Sequence, residues 1–472
     1  MRRQNRTYTQ APAAAAQAPA VAPTLSIESM SIDDILVGRA VLSIEEEVTA
    51  LAEADQLADE VSKDVAETTR VEDVTDTMLN VAETLEGATE ITSQQAELVD
   101  AASEMAVAGS DGDPDDVIPS AGVLLDPEAG VSVESFVEDI KKRAMEIWNR
   151  IKQFCIQIWN SIVEFFKRIF NAAPRLLHRI KELREVSAVK KKAGSNAQPK
   201  SGQVQVLVGG NSISYPDYMV RDSKELIKGL NELKTLATYA NGPYMKDIKS
   251  MGEQVAAELN KFDPKKAAEH LKTCAQGLQR NNFTNLPSNP PAGYIGCFEV
   301  HATRLDKSKT KDLSDSQILG ALRNSGVKLQ ARHGKAPLLN TKNGFQTMSY
   351  AECDSVMSAV EGLVKMLVAS ETSSGTKDVE RARLALIAGG THASTAVGNM
   401  QGDDEAGKAE RSYAVDVMKG LANFNTTLTR WVSDLTMPVA KKIYQTSRTS
   451  LVLVEKSLSE YPSGSAPAAK AA

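Results

Sequence analysis

Three short runs carry the most specific chemistry in this sequence: Ser26-Ile27-Glu28, Ser43-Ile44-Glu45 and Ser132-Val133-Glu134. Each sets a small hydroxyl, an apolar residue and a carboxylate in a row. Such a run suits a substrate that a protease reads, and it equally suits the start of a helix, where Ser is a favoured cap. Ser and Glu are common residues, so the pattern alone says little. Placement says more, because all three runs lie in the first third of the chain. A fourth, Ser223-Lys224-Glu225, has Lys in its centre and sits in a helical pattern.

Catalytic signatures are poor by comparison. The sequence has no P-loop, GxSxG, HExxH or post-strand GxGxxG. The run IAGGTHAST, with Gly389, Gly390 and Ser394, lacks the Lys and spacing of a phosphate loop and reads as a helix-end turn. The five histidines (His178, His270, His301, His333, His392) are isolated along the chain and read as surface or packing residues. Cys155, Cys274, Cys297 and Cys353 form no CxxC and read as free thiols. No catalytic residue, metal ligand or cofactor is therefore assigned.

The elements that must position Ser132-Val133-Glu134 divide by composition. Residues 1–134 hold 28 acidic and 6 basic residues, net −22, so the remainder of a chain of net −7 carries +15. Asymmetry of this size bears on partners rather than on fold. Residues 1–24 read as a flexible tail with no secretory h-region, and no run approaches a membrane span. From Ser43 to Met105 apolar residues recur at helical spacing, but they are mostly Val and Leu on an acidic background, so these helices are thin. A Gly/Pro/Asp-rich stretch then leads to the junction.

Beyond the junction, Phe136, Ile140, Ala144, Ile147, Ile151, Phe154, Ile158, Ile162, Phe165 and Ile169 recur at spacings of three and four, predicting an amphipathic helix of about ten turns. Ser135 with Glu138 is expected to form its capping box. Asn171-Ala172-Ala173-Pro174 is expected to end it, with a shorter basic helix to follow. Three readings of this helix stand open: a packing helix, an interfacial membrane helix, or a surface for nucleic-acid phosphates. The residues of the last two are Lys141, Lys142, Arg143, Trp148, Arg150, Trp159, Lys167 and Arg168. Residues 203–463 read as helix-rich with a small antiparallel sheet, including a hairpin over QVQVLVGGNSISYP. The fold class is mainly α, α+β overall, with an acidic propeptide (1–134), the basic helical segment (135–192), the C-terminal domain (203–463) and a tail (464–472).

The SVESFVEDIKKRAMEIWNRI…EFFKRIF segment, together with the Ser-x-Glu runs, resembles the internal head (inner body) proteins of large tailed bacteriophages. That resemblance implies cleavage after Glu134 by a prohead protease acting in trans, at a site formed by Ser132, Val133, Glu134 and Ser135. Ser26/Glu28 and Ser43/Glu45 would be lesser sites, and Ser223-Lys224-Glu225 would be spared. It implies a non-enzymatic virion protein inside the phage head, passing through host cytoplasm during assembly. Its partners would be packaged DNA, bound nonspecifically, and other head-interior proteins, and it could be ejected with the DNA. Two alternatives remain at this level: a membrane-active protein using the Trp-rich helix, and an injected effector enzyme within 203–463.

Overall fold

The computed structural model describes residues 32–85, 91–107, 120–125, 131–193, 198–204, 207–208, 211–212, 222–280, 283, 298–303, 313–331, 345–372, 375–400 and 405–462. These are dominated by helix, with three two-stranded antiparallel pairs. The chain forms two compact units: residues 1–45 with 70–151, and residues 46–69 with 152–472. The division therefore does not fall at the predicted 134/135 boundary. Two long helices, α1 (Ile32–Leu85) and α3 (Val133–Ala193), each contribute to both units.

In the smaller unit, the end of α1, helix α2 (Ser93–Val107) and a 3-10 turn at Ala121–Leu125 surround the start of α3. The core is built from small side chains, Val74, Val81, Ala82, Ala96 and Val99, filled out by Met78, Leu85 and Phe136. The turn is held by the Asp100 carboxylate, whose Oδ1 accepts from the Ala121 N–H at 2.8 Å.

In the larger unit, α3 presents Ile158, Trp159, Ile162, Phe165, Phe166 and Ile169 to a single large core. The predicted break at Asn171–Pro174 does not occur, and the expected second helix is the continuation of α3. Pro174 removes one donor and crowds the preceding turn, a cost of about 3 kcal/mol. Its own side is exposed, however, so water can satisfy the orphaned carbonyl, while Ala172, Ala173 and Leu176 continue the buried stripe in phase.

The remaining helices are α4 (Ser223–Tyr239), α5 (Met245–Asn260), α6 (Ala267–Arg280), α7 (Asp315–Asn324), α8 (Tyr350–Thr372), α9 (Gly375–Gly398), α10 (Glu405–Ala422), α11 (Phe424–Trp431) and α12 (Met437–Ser459). Helix α5 packs along α9, and α8 lies against α4 and α12. A π-turn at Val432–Thr436, just before Pro438, separates α11 from α12, and a second π-turn at Ala240–Tyr244 contains Pro243. In both places the wider turn accommodates a ring that an α-helical carbonyl would meet. The strands pair as β1 (Gln203–Val204) with β6 (Phe345–Gln346), β2 (Leu207–Val208) with β3 (Asn211–Ser212), and β4 (Phe298–Thr303) with β5 (Gly326–Ala331). The predicted hairpin is present only as Leu207–Val208 against Asn211–Ser212. Val204 pairs instead with Phe345, and Val206, Ile213 and Tyr215 lie outside the described residues.

Candidate processing junction and basic helix

Helix α3 begins at Val133, three residues earlier than its predicted cap at Ser135 allows. Ser132 is the cap: its Oγ accepts from the Ser135 N–H at 3.1 Å, and its carbonyl accepts from the Phe136 N–H at 3.1 Å. Ser135 lies inside the first turn, where its hydroxyl donates to the Ser132 carbonyl at 2.9 Å. The expected Ser135/Glu138 capping box is thus replaced by a cap one turn upstream. The run S-V-E-S offers two serines three apart, and Val133 takes the buried side only if the helix starts at Ser132.

This geometry puts the Glu134–Ser135 bond within the first helical turn. Ser132, Glu134, Ser135 and Glu138 are exposed and Val133 is buried. The carboxylate is available for recognition, but a protease needs extended backbone, so cleavage requires the turn to open. End turns open most easily. Ser43 and Glu45 lie inside α1, which would have to unwind for a cut there, and Ser26 and Glu28 lie outside the described residues. Ser223 is buried at the start of α4, and its hydroxyl donates to Glu352 Oε1 at 2.6 Å. That bond is the largest cause holding the Glu352 carboxyl below its usual range.

The basic side chains of α3 divide into those used within the fold and those facing water. Arg179 is buried and paired with Glu455. Arg184 meets Glu361 at 2.7 Å and Asp354 at 3.6 Å. Lys190 is buried and donates to the Leu458 and Tyr461 carbonyls at 3.2 and 3.3 Å, closing the end of α12. Arg168 pairs with Glu164 and with Glu53 of α1, and Arg143 pairs with Asp139 at 3.3 Å. Lys142, Lys167, Lys181, Lys191 and Lys192 are exposed. The side chains of Lys141, Trp148 and Arg150 lie outside the described residues.

Trp159, expected as a surface contact, is instead core, 1% exposed. The Arg383 guanidinium stands 5.1 Å over its ring and donates to the Cys155 carbonyl and to Asn425 Oδ1. Burial lowers the pKa of Arg383 from its usual value. This partnership had no local signal, since Arg383 lies far along the chain on a helix of its own.

Other residues considered for chemistry serve packing. Gly389 and Gly390 lie in the middle of α9 rather than at a helix end. A Cβ on Gly389 would come within 2.9 Å of Leu259 Cβ and 3.1 Å of the Ala256 carbonyl, so the glycine permits the close crossing with α5. His270 is buried, with Nδ1 2.8 Å from Glu258 and Nε2 accepting from the Asp263 N–H at 3.0 Å. The second bond requires the proton on Nδ1, so the ring ties α5 to α6. Cys155, Cys274 and Cys353 are buried free thiols, and burial pushes Cys353 up to about 12, far from a nucleophile's range. Cys297 lies outside the described residues.

The two π-turns meet around Tyr244, whose hydroxyl donates to the Trp431 and Val327 carbonyls at 2.9 and 3.2 Å. Nearby Asp434 is raised to about 6 by burial, opposed in part by Arg430 and Lys328. This cluster has no local signal, because a π-turn has no pattern distinct from a helix. Among the described residues no metal-ligating group is present, and no helix is long and apolar enough to cross a membrane.

A family model described as phiKZ-like phage internal head proteins matches residues 37–442, most of the chain. No curated protein and no solved structure matches.

Proposed function

The chain belongs to the phiKZ-like phage internal head proteins, and from that membership we propose a non-enzymatic structural protein matured by cleavage after Glu134. Its place is inside the phage head, in the virion. The observation that carries the maturation reading is the coincidence at one bond of three features. They are the change from net −22 to net +15, the Ser-Val-Glu run, and an exposed first helical turn.

Cleavage there, once the acidic piece departs, would leave a basic protein in place of an acidic one. Before the cut, the acidic segment holds part of the basic body: Glu53 pairs with Arg168, and Asp55 pairs with Lys441 at 2.9 Å. With the leader gone, a body of net +15 with exposed Lys167, Lys181, Lys191 and Lys192 would neutralise DNA phosphates without reading sequence. Ejection with the DNA would follow from such loose, salt-sensitive association. The apolar face that a membrane reading needs is used by the protein itself, since Trp159, Phe165 and Phe166 are buried.

N-terminal sequencing and mass spectrometry of the protein from purified virions test the proposal. A new terminus at Ser135 is expected. Residues 1–134 still covalently joined to the rest in mature particles would overturn it.

A further inference from the structure

We propose that the acidic leader does not leave when the chain is cut, and that the processed protein is a two-chain complex with residues 46–134 still seated on residues 135–472. This rests on cleavage after Glu134, but concerns what holds the pieces together afterwards. Among the described residues of the smaller unit, ten of the thirteen buried apolar residues of the core precede the cut and three, Phe136, Val137 and Ile140, follow it. Neither side has a core without the other. The leader alone offers thin Val/Ala helices, and the body alone would leave the aromatic start of α3 bare to water.

A second stretch of the same leader docks independently in the larger unit. There Ala54, Val61 and Val65 are buried in its core with Leu57 and Ala58 packed beside them. Polar contacts flank this strip: Glu53 with Arg168, Asp55 with Lys441, and Arg323 donating to the Thr69 carbonyl at 3.2 Å. Two docking stretches on one peptide raise each other's effective concentration, so release requires both to let go. The cut itself removes only the peptide bond and the few hydrogen bonds of one exposed turn. It follows that nicking alone leaves the assembly at net −7, and that the net +15 body appears only when the leader departs.

The test uses the full chain with a recognition site for an unrelated sequence-specific protease inserted between Gly130 and Val131, so the natural cut plays no part. After complete nicking, the protein is run on size exclusion at low micromolar concentration, and fractions are identified by mass. The leader is expected to co-elute with the body. A double variant, Val61→Asp with Met78→Asp, places a charge in each docking core and should weaken retention by about 100-fold or more, so that its leader elutes alone. A leader that elutes separately from the nicked parent, whether the body stays soluble or aggregates, would overturn the proposal. So would a double variant that retains its leader as fully as the parent. Neither result bears on whether virions carry a terminus at Ser135.

Discussion

Gly389 shows how a residue read for chemistry proves to be one read by packing. The atoms a Cβ would meet, Leu259 Cβ and the Ala256 carbonyl, belong to the rigid parts of α5 and cannot swing away. Overpacking of this kind costs about 1–3 kcal/mol, against which Ala regains up to about 1 kcal/mol of helix propensity. Gly389→Ala should therefore lower the denaturation midpoint, whereas Gly398→Ala, with nothing within 4 Å, should leave it unchanged or raise it. Asp434 carries a pH dependence of definite sign. In the unfolded chain it releases its proton near 3.8, and in the fold only near 6, because burial disfavours the charge. Its contribution to stability is thus complete below pH 3.8 and lost as pH rises through 6. Asp434→Asn should stabilise the protein by about 1–2 kcal/mol at pH 7, allowing for partial solvation. At pH 4 the gain should nearly vanish, as paired urea titrations would show.

At the scale of elements, opening of the first turn of α3 should set the rate of processing. Asp139 is exposed in the second turn, outside the Ser132–Ser135 run, and pairs with Arg143. Asp139→Gly should cost that end of the helix about 1 kcal/mol and raise the open population about fivefold. Prohead protease should then cut the Glu134–Ser135 bond up to about fivefold faster, while Glu134→Gln, which removes the carboxylate, should stop the cut. A gel time course of each variant measures both. The long helix itself was legible in the sequence, since seven positions of the predicted stripe, from Phe136 to Ile169, are buried. So were the helical nature of the later segments and the presence of small antiparallel strand pairs among them. What was not legible depends on partners distant in sequence. Pro174 is tolerated because the core behind it continues in phase, and Trp159 is covered because Arg383 and Asn425 arrive from α9 and α11. The cap was misplaced by one turn because Ser132 and Ser135 are locally equivalent, and only the burial of Val133 separates them.

For the whole molecule, the decisive quantity is how many positive side chains remain for an external polyanion once the fold has used its own. Arg179, Arg184 and Lys190 are committed to Glu455, Glu361 and two carbonyls, so they should contribute little to DNA affinity although they lie on the most basic helix. Lys181, Lys191 and Lys192 are exposed on the same helix and free to meet phosphates. Each phosphate neutralised adds about 0.9 to the slope of log affinity against log salt. Residues 135–472, once parted from the leader, should therefore bind double-stranded DNA of any sequence with a steep salt dependence. Replacing Lys181, Lys191 and Lys192 together by Ala should flatten that slope by about two to three. Arg184→Ala should instead leave the slope unchanged and lower the unfolding temperature, because its loss removes the ion pairs to Glu361 and Asp354 that tie α3 to α8. If the two variants change places in these assays, then the body meets DNA through another face. Fluorescence anisotropy across a salt series, paired with thermal melts, measures both quantities on the same preparations.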